Sequence, residues 1–153
     1  MSAAGIEPTP ARRPIRPRNL RFELDPARMA DWHPAGAHVS HFYNALSLLL
    51  PAGEAFFIES ARAFDASVLP PGLCEDLQGF LAQEALHGRE HQRYNDTLAA
   101  AGYPAAYLAK RVANLCRWLG RHLSPEARLA VTVAVEHETS ILSGVTVTEP
   151  RIL

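Results

Sequence analysis

The stretch FLAQEALHGREH, residues 80–91, places Glu84, His87 and His91 in a Glu-x-x-His-x-x-x-His spacing. An α-helix turns by about 100° per residue, so positions i, i+3 and i+7 lie on one face. Apolar residues extend that face in both directions, and charged residues occupy the opposite one. The pattern therefore predicts a helix whose acid and imidazoles point into a core. Because such groups are unfavourable to bury without a partner, it also predicts a bound metal ion.

Helical periodicity continues on both sides of this stretch. It predicts helices over 37–49, 52–66, 73–101, 104–121 and 125–143. Pro51 and Gly53 break the first helix from the second, Gly102 caps the third, and Ser124 with Pro125 begins the last. Strand alternation is confined to a short segment at 145–148. The fold class is therefore predicted to be all-α, a helical bundle domain at 37–143 followed by an irregular tail at 144–153.

Residues 1–36 differ in composition from the rest of the chain. They contain six prolines and a run of arginines from Arg12 to Arg21. Such a segment buries little apolar area and cannot form a long helix. It is predicted to begin disordered and to continue as an extended arm that docks through Phe22, Leu24 and Trp32. A solvated tail is favoured for the arginine run, and a patch for an anionic partner stays open as the alternative.

Composition excludes several classes of function. The chain has 153 residues, 48% of them hydrophobic, and a net charge of -1, which argues against nucleic-acid or membrane binding driven by bulk charge. No apolar run reaches the roughly 18 residues that span a bilayer, and no secretory signal pattern is visible. Cys74 and Cys116 do not form a metal-type pair and are typical of reduced thiols. We expect a cytoplasmic protein with no nucleic-acid partner and no membrane association.

Two further carboxylates lie in apolar helical settings. Glu54 shares its face with Phe57 and Ile58, and Glu136 follows an almost continuous apolar run that predicts a buried helix. Alone, Glu54 is typical of an acid at a helix start, and Glu136 of a partner for a buried arginine. Together with Glu84 and His87, they match the ligand pattern of di-iron or di-manganese helical bundles. The predicted cofactor is a divalent metal, with iron or manganese favoured and zinc as the alternative.

The remaining histidines receive different interpretations. His91 is predicted to be catalytic as a general base, or to hold a carboxylate ligand in place. His137 points about 100° away from Glu136 and is interpreted as a supporting or interface residue. The role of His41 stays open. His33, His38 and His122 are predicted to be solvated.

Three runs resemble signatures of a known bacterial family, the predicted metal-dependent hydrolases of the ferritin-like superfamily. They are HFYNALSLLLPAGEAFF at 41–57, QEALHGREH at 83–91 and AVEHET at 134–139. The resemblance covers about residues 17–143. It implies a helical bundle with Glu54, Glu84, His87 and Glu136 as metal ligands. It supports metal binding better than hydrolysis, since ferritin-like di-metal sites more often carry oxygen chemistry.

The end of the chain departs from that resemblance. Members of the family continue into a further helix with its own Glu/His motif, whereas this chain ends at Leu153 in a sequence that reads as neither helical nor family-like. A truncated chain is therefore expected. The site is then either incomplete or completed by another chain. An uncovered bundle face also predicts homo-oligomers.

The predicted function is that of a metal-dependent hydrolase acting on an unidentified small molecule, with activity lost if the truncation removes a required ligand. Two alternatives stay open: a di-iron oxidase or oxygenase, and a non-catalytic helical remnant that self-associates. DNA binding through the arginine run is a third and weaker reading, because aromatic residues are sparse there.

Overall fold

The computed structural model describes residues 13–148, and all regular structure in that range is helical. This confirms the all-α prediction. The five α-helices are α1 (Ala37–Ser47), α2 (Leu50–Arg62), α3 (Pro71–Ala100), α4 (Ala105–His122) and α5 (Pro125–Thr148). Short 3-10 turns at Pro26–Arg28 and Ala66–Val68 complete the described elements.

Most of the predicted start and stop signals are confirmed at the helix ends, but Gly53 lies within α2, which ends at Arg62 and not at residue 66. Pro51 is the second residue of α2, and Leu48 and Leu49 separate that helix from α1. Gly102 follows α3 with a positive φ of 90°, a conformation that glycine adopts without strain. The Ser124 hydroxyl accepts from the Ala127 N–H at 3.2 Å and caps α5.

The end of α5 corrects two predictions. Residues 144–148 continue the helix, so an irregular tail and a short strand are both wrong over these residues, while 149–153 lie outside the described range. The Thr146 and Thr148 hydroxyls donate to carbonyls four residues back, at 2.8 and 2.7 Å. Tyr43 of α1 also lies 3.1 Å from the Thr146 hydroxyl. Contact with another helix thus favours the helical state over the strand propensity of valine and threonine.

Helix α2 is the centre of the bundle, because it packs against α3, α4 and α5. It buries Phe56, Phe57 and Ala61. A second apolar cluster lies where α1, α3, α4 and the N-terminal arm meet. It consists of Met29, Leu48, Leu98 and Ala105.

The N-terminal arm is extended and lies along α3, as predicted for its ordered part. Residues 1–12 lie outside the described range. Arg18 N–H donates to Gln83 Oε1 at 2.9 Å, and Arg89 donates to Asn19 Oδ1 at 2.7 Å. At Gly79 the arm comes so close that an added Cβ would lie 2.5 Å from the Ile15 carbonyl oxygen. The arm therefore docks mainly through backbone and polar contacts.

The predicted aromatic anchors of the arm are only partly confirmed. Phe22 is exposed, and the buried anchor is Met29 instead. Trp32 lies at the surface but donates its Nε1–H to Asn44 Oδ1 of α1 at 3.1 Å. Asn44 in turn donates to the Met29 carbonyl at 2.7 Å. A hydrogen-bonded asparagine, which periodicity does not reveal, fixes this junction.

Helix α5 is not buried, in contrast to the prediction from its apolar sequence. Val133 is 61% exposed and Val147 is 67% exposed, and Thr132 is its buried residue. The reason is that α5 packs mainly on α2, so most of its circumference has no neighbour within residues 13–148. Across the described residues, no helix combines the length and apolar character needed to cross a membrane.

Candidate metal centre

The Glu54 carboxylate lies buried between α2 and α3. The residue is only 2% exposed. His87 Nδ1 lies 2.8 Å from Oε1, and Oε2 has no hydrogen-bond partner among residues 13–148. Burial raises the pKa of Glu54, and the contact with His87 opposes that rise. An incompletely paired buried carboxylate is unfavourable, and a cation would relieve it.

Gly88 allows the two helices to approach at this point. A Cβ added there would lie 2.7 Å from Glu54 Oε2. Alanine has the higher helix propensity, by about 1 kcal/mol, so a glycine in the interior of α3 calls for a reason of this kind. The absent side chain leaves the space that the carboxylate fills. The mid-helix glycine next to His87 is the sequence signal from which this contact could have been predicted.

His87 and His91 face each other one turn apart on α3, with their Nε2 atoms 3.1 Å from one another. Two bare lone pairs would repel at this distance, so one nitrogen must carry a proton or a cation must lie between them. The hydrogen bond that His87 Nδ1–H donates to the Glu54 carboxylate raises the pKa of His87, whereas burial, and next the charge of His87, lower the pKa of His91 to about 4. Without metal, the shared proton therefore belongs to His87.

Glu54, His87 and His91 form a group of suitable size for a metal ion. One ligand atom from each lies within 4.8 Å of the others. Ligand bonds of about 2.1 Å place two tetrahedral ligands of one ion about 3.4 Å apart, so ligand atoms within 4.8 Å of one another need to approach by at most about 1.4 Å. The residues present thus fit a metal in both donor type and spacing.

The other two predicted carboxylates, Glu84 and Glu136, lie in the same electrostatic environment. Glu84 is 7% exposed; burial first, then the charges of Glu136 and Glu54, raise its pKa to about 7. Burial and the charge of Glu54 also raise the pKa of Glu136. Burial raises the pKa of all three carboxyl groups, and the charge of Glu54 raises the pKa of the other two, so negative potential is concentrated where a cation would be stabilised.

Two features of these predicted ligands differ from expectation. Glu136 is partly rather than fully buried, because α5 has neighbours on one side only. The His87 side chain is 48% exposed, so it does not point wholly into a core. The second difference matters for function, since it leaves one side of the cluster open to solvent.

The remaining histidines lie away from the centre. His33 is buried rather than solvated, and its Nδ1 accepts from the Ala35 N–H at 3.1 Å. His38 and His122 are exposed, as predicted. His41 is exposed and its ring meets Tyr103 edge to face. His137 lines an open apolar groove beside Phe64.

Ser47 and Asn95 are connected to His91 by hydrogen bonds, although neither was predicted as a site residue. The Ser47 hydroxyl lies 2.9 Å from His91 Nδ1 and donates to Asn95 Oδ1 at 2.9 Å. Both residues are buried. They stand on different helices, α1 and α3, so no single-helix pattern relates them. The position of Asn95 one turn beyond His91 is the one signal that the sequence offers.

Comparison with known proteins finds one family. A family model described as a predicted metal-dependent hydrolase matches residues 16–153. The match continues through the last residue, so the expectation that residues 144–153 depart from the family is wrong. No curated protein and no solved structure gives a significant match.

Proposed function

Because the chain belongs to the family of predicted metal-dependent hydrolases, we propose that it binds a divalent metal ion between α2 and α3 and uses it for hydrolysis. The observation that supports this most is the buried Glu54 carboxylate. Its Oε2 lacks a hydrogen bond within the described residues, and its Oε1 faces an imidazole. A cation provides the charge that such a group needs.

In this proposal the ion is held by Glu54, His87 and His91. This gives His91 a ligand role in place of the general-base role predicted from sequence. Glu84 and Glu136 are the carboxylates of the wider site and would be ligands of a second ion. Mixed oxygen and nitrogen donors suit iron, manganese and zinc. The excess of carboxylates favours iron or manganese.

The bound ion would supply a water of lowered pKa and would polarise the bond to be cleaved. The residues of the chain supply the rest. The exposed side of His87 is where a small substrate approaches the centre. When a single ion is bound by Glu54, His87 and His91, the free carboxylate of Glu84 or Glu136 takes the proton of the attacking water as general base. The buried floor formed by Glu54 keeps bulk water away from the opposite side.

Metal loading of the purified chain tests the proposal. After treatment with a chelator, the chain is loaded separately with Zn²⁺, Mn²⁺ and, without oxygen, Fe²⁺, and its metal content is measured. We expect about one ion or more per chain, lost in Glu54→Gln and kept in Glu59→Gln, an exposed acid on the same helix. Less than about a tenth of an ion per chain with all three metals would contradict it.

Activity of the loaded chain distinguishes hydrolysis from oxygen chemistry. Hydrolysis predicts metal-dependent turnover in a panel of simple carboxylic esters, amides and phosphoesters. The alternative, a di-iron oxidase or oxygenase, is favoured by one observation, the three carboxylates and two imidazoles that converge here. It predicts two iron ions per chain, a near-UV absorption band and oxygen uptake after Fe²⁺ loading.

A further inference from the structure

The hydrogen bonds behind His91 connect two helices. Ser47, the last residue of α1, lies 2.9 Å from His91 Nδ1 through its hydroxyl oxygen. The same hydroxyl lies 2.9 Å from Asn95 Oδ1, and Asn95 Nδ2 lies 3.1 Å from the Ser47 carbonyl oxygen. The two contacts with Asn95 are buried and the contact with His91 is partly buried, so water has little access to the Ser47 hydroxyl.

The donors and acceptors of Ser47, Asn95 and His91 can satisfy these contacts with only one placement of their protons. A carbonyl oxygen can only accept, so the Asn95 amide must turn its Nδ2 toward the Ser47 carbonyl. Its Oδ1 then faces the Ser47 hydroxyl and takes the single hydroxyl proton. Having donated that proton, the hydroxyl can only accept from His91. The His91 proton is therefore on Nδ1, and Nε2 carries the lone pair.

We propose that Ser47 and Asn95 are positioning residues that hold His91 in the Nδ1–H tautomer and direct its Nε2 lone pair at the metal. The inference rests on the metal-binding function proposed above. The nitrogen of a histidine that binds a metal is set by the hydrogen bond that the other nitrogen makes. The opposite tautomer would place a proton where the ion has to bind. Asn95 acts indirectly, because it fixes the direction in which the Ser47 hydroxyl points.

Nitrogen NMR of the imidazoles tests the tautomer directly. Spectra of the ¹⁵N-labelled full chain are recorded in a chelator, where no metal competes. The wild-type chain should show His91 in the Nδ1–H form. In a His87→Ala background, where no His87 proton holds the lone pair of His91 Nε2, Ser47→Ala should give a mixture or the Nε2–H form, and Ser47→Thr, which keeps the hydroxyl, should restore Nδ1–H. A wild-type His91 in the Nε2–H form overturns the inference, whether or not any variant folds.

Titration with Zn²⁺ alone tests the consequence for binding. Loss of a hydrogen-bond partner behind a ligand typically weakens metal affinity by about 10- to 100-fold, which is the loss expected for Ser47→Ala. Ser47→Thr should stay within about threefold of wild type. Ser60→Ala is the matched control, because Ser60 is also a buried helical serine but donates to Phe56 O within α2. Equal affinities for Ser47→Ala and Ser60→Ala overturn the positioning role.

Failure of this inference can be told apart from failure of the proposed function. If the wild-type chain binds no Zn²⁺, Mn²⁺ or Fe²⁺, the metal function and the role of the tautomer in binding are both overturned. If it binds Zn²⁺ tightly and Ser47→Ala binds equally tightly, the metal function stands and the positioning role alone is overturned.

Discussion

The α2–α3 interface and helix α5 reverse the usual relation between polarity and burial. Glu54 and Glu84 are buried at the interface, whereas Val133 and Val147 of the more apolar α5 are exposed. Glu54 faces His87 of the other helix through Oε1, but its Oε2 has no hydrogen-bond partner among residues 13–148, so its burial is only partly compensated. Exposure of α5 follows from a shortage of neighbours. The comparison teaches that the burial of a helix depends on what packs against it more than on its polarity, and that the interface holds a group, Glu54, His87 and His91, that could bind a metal ion.

Among changes made to these two regions, the largest effect is expected from adding metal, which acts on the polar interface alone. A ligand present at 100 times its Kd raises the free energy of unfolding by about 2.7 kcal/mol. We expect such a gain when Zn²⁺ is added to the chelator-treated chain, measured by urea unfolding. Glu54→Gln should abolish the gain, and Glu59→Gln should keep it. A gain that survives Glu54→Gln would place the metal elsewhere.

A methyl group at Gly88 should disturb the centre without harming the fold. In Gly88→Ala the new Cβ meets Glu54 Oε2, so the carboxylate has to move. Zn²⁺ affinity should fall by about tenfold, while helix propensity adds up to about 1 kcal/mol to stability. Gly120→Ala on α4, where a Cβ meets nothing within 4 Å, should add stability and leave affinity unchanged. Equal affinities for the two variants would show that Glu54 is not held in place by α3.

The metal-free chain should lose stability as pH rises above 6.5. The pKa of Glu84 is raised from 4.5 to about 7, so between these values the folded chain holds a proton that the unfolded chain has released. His87, with a raised pKa, acts in the same direction above 6.5. His91, with its pKa lowered from 6.5 to about 4, opposes the loss only below 6.5.

The measurement is urea unfolding in chelator at pH 6.5 and pH 8. We expect a decrease on the order of 1 kcal/mol after allowance for partial solvent screening. Glu84→Gln should flatten the dependence between these two pH values. Stability that increases over the same interval would mean that the carboxylates are less buried than described.

The smallest effect on folding is expected from the exposed valines of α5. For a Val133→Thr, Val147→Thr double variant, the free energy of unfolding should change by no more than about 0.5 kcal/mol. A larger loss, together with a molar mass by light scattering above 16.8 kDa, would show that a second copy covers this face. Leu98→Ala, in the buried cluster, should by contrast cost about 2–5 kcal/mol.

Much of the fold was predictable from sequence, because helix periodicity and end signals are local. The helices began and ended near Pro51, Gly102 and Ser124 as these residues indicate. The convergence of Glu54 with Glu84 and His87 was also predictable, since buried acids on separate helices need a common partner. The exposure of α5 was not predictable in this way. Its apolar pattern is compatible with burial, and exposure depends on how many helices surround it.

The polar contacts behind the centre could not be predicted either. Ser47 and Asn95 are small polar residues on different helices, and their meeting depends on the angle at which α1 crosses α3. His33 is likewise buried through a local contact with Ala35 N and through stacking of its ring on Tyr43 of α1. Such contacts are set by tertiary geometry, which a pattern along one helix does not contain.

The break between α1 and α2 affects the hydrogen bonds that lead to His91. In an unbroken helix the Ser47 carbonyl would accept from the N–H four residues on, but that residue is Pro51, which has none. The carbonyl is thereby left for Asn95, whose amide sets the direction of the Ser47 hydroxyl. In the proposed site, a residue without a donor thus helps to decide which nitrogen of the His91 imidazole carries the proton, although it lies on a different helix.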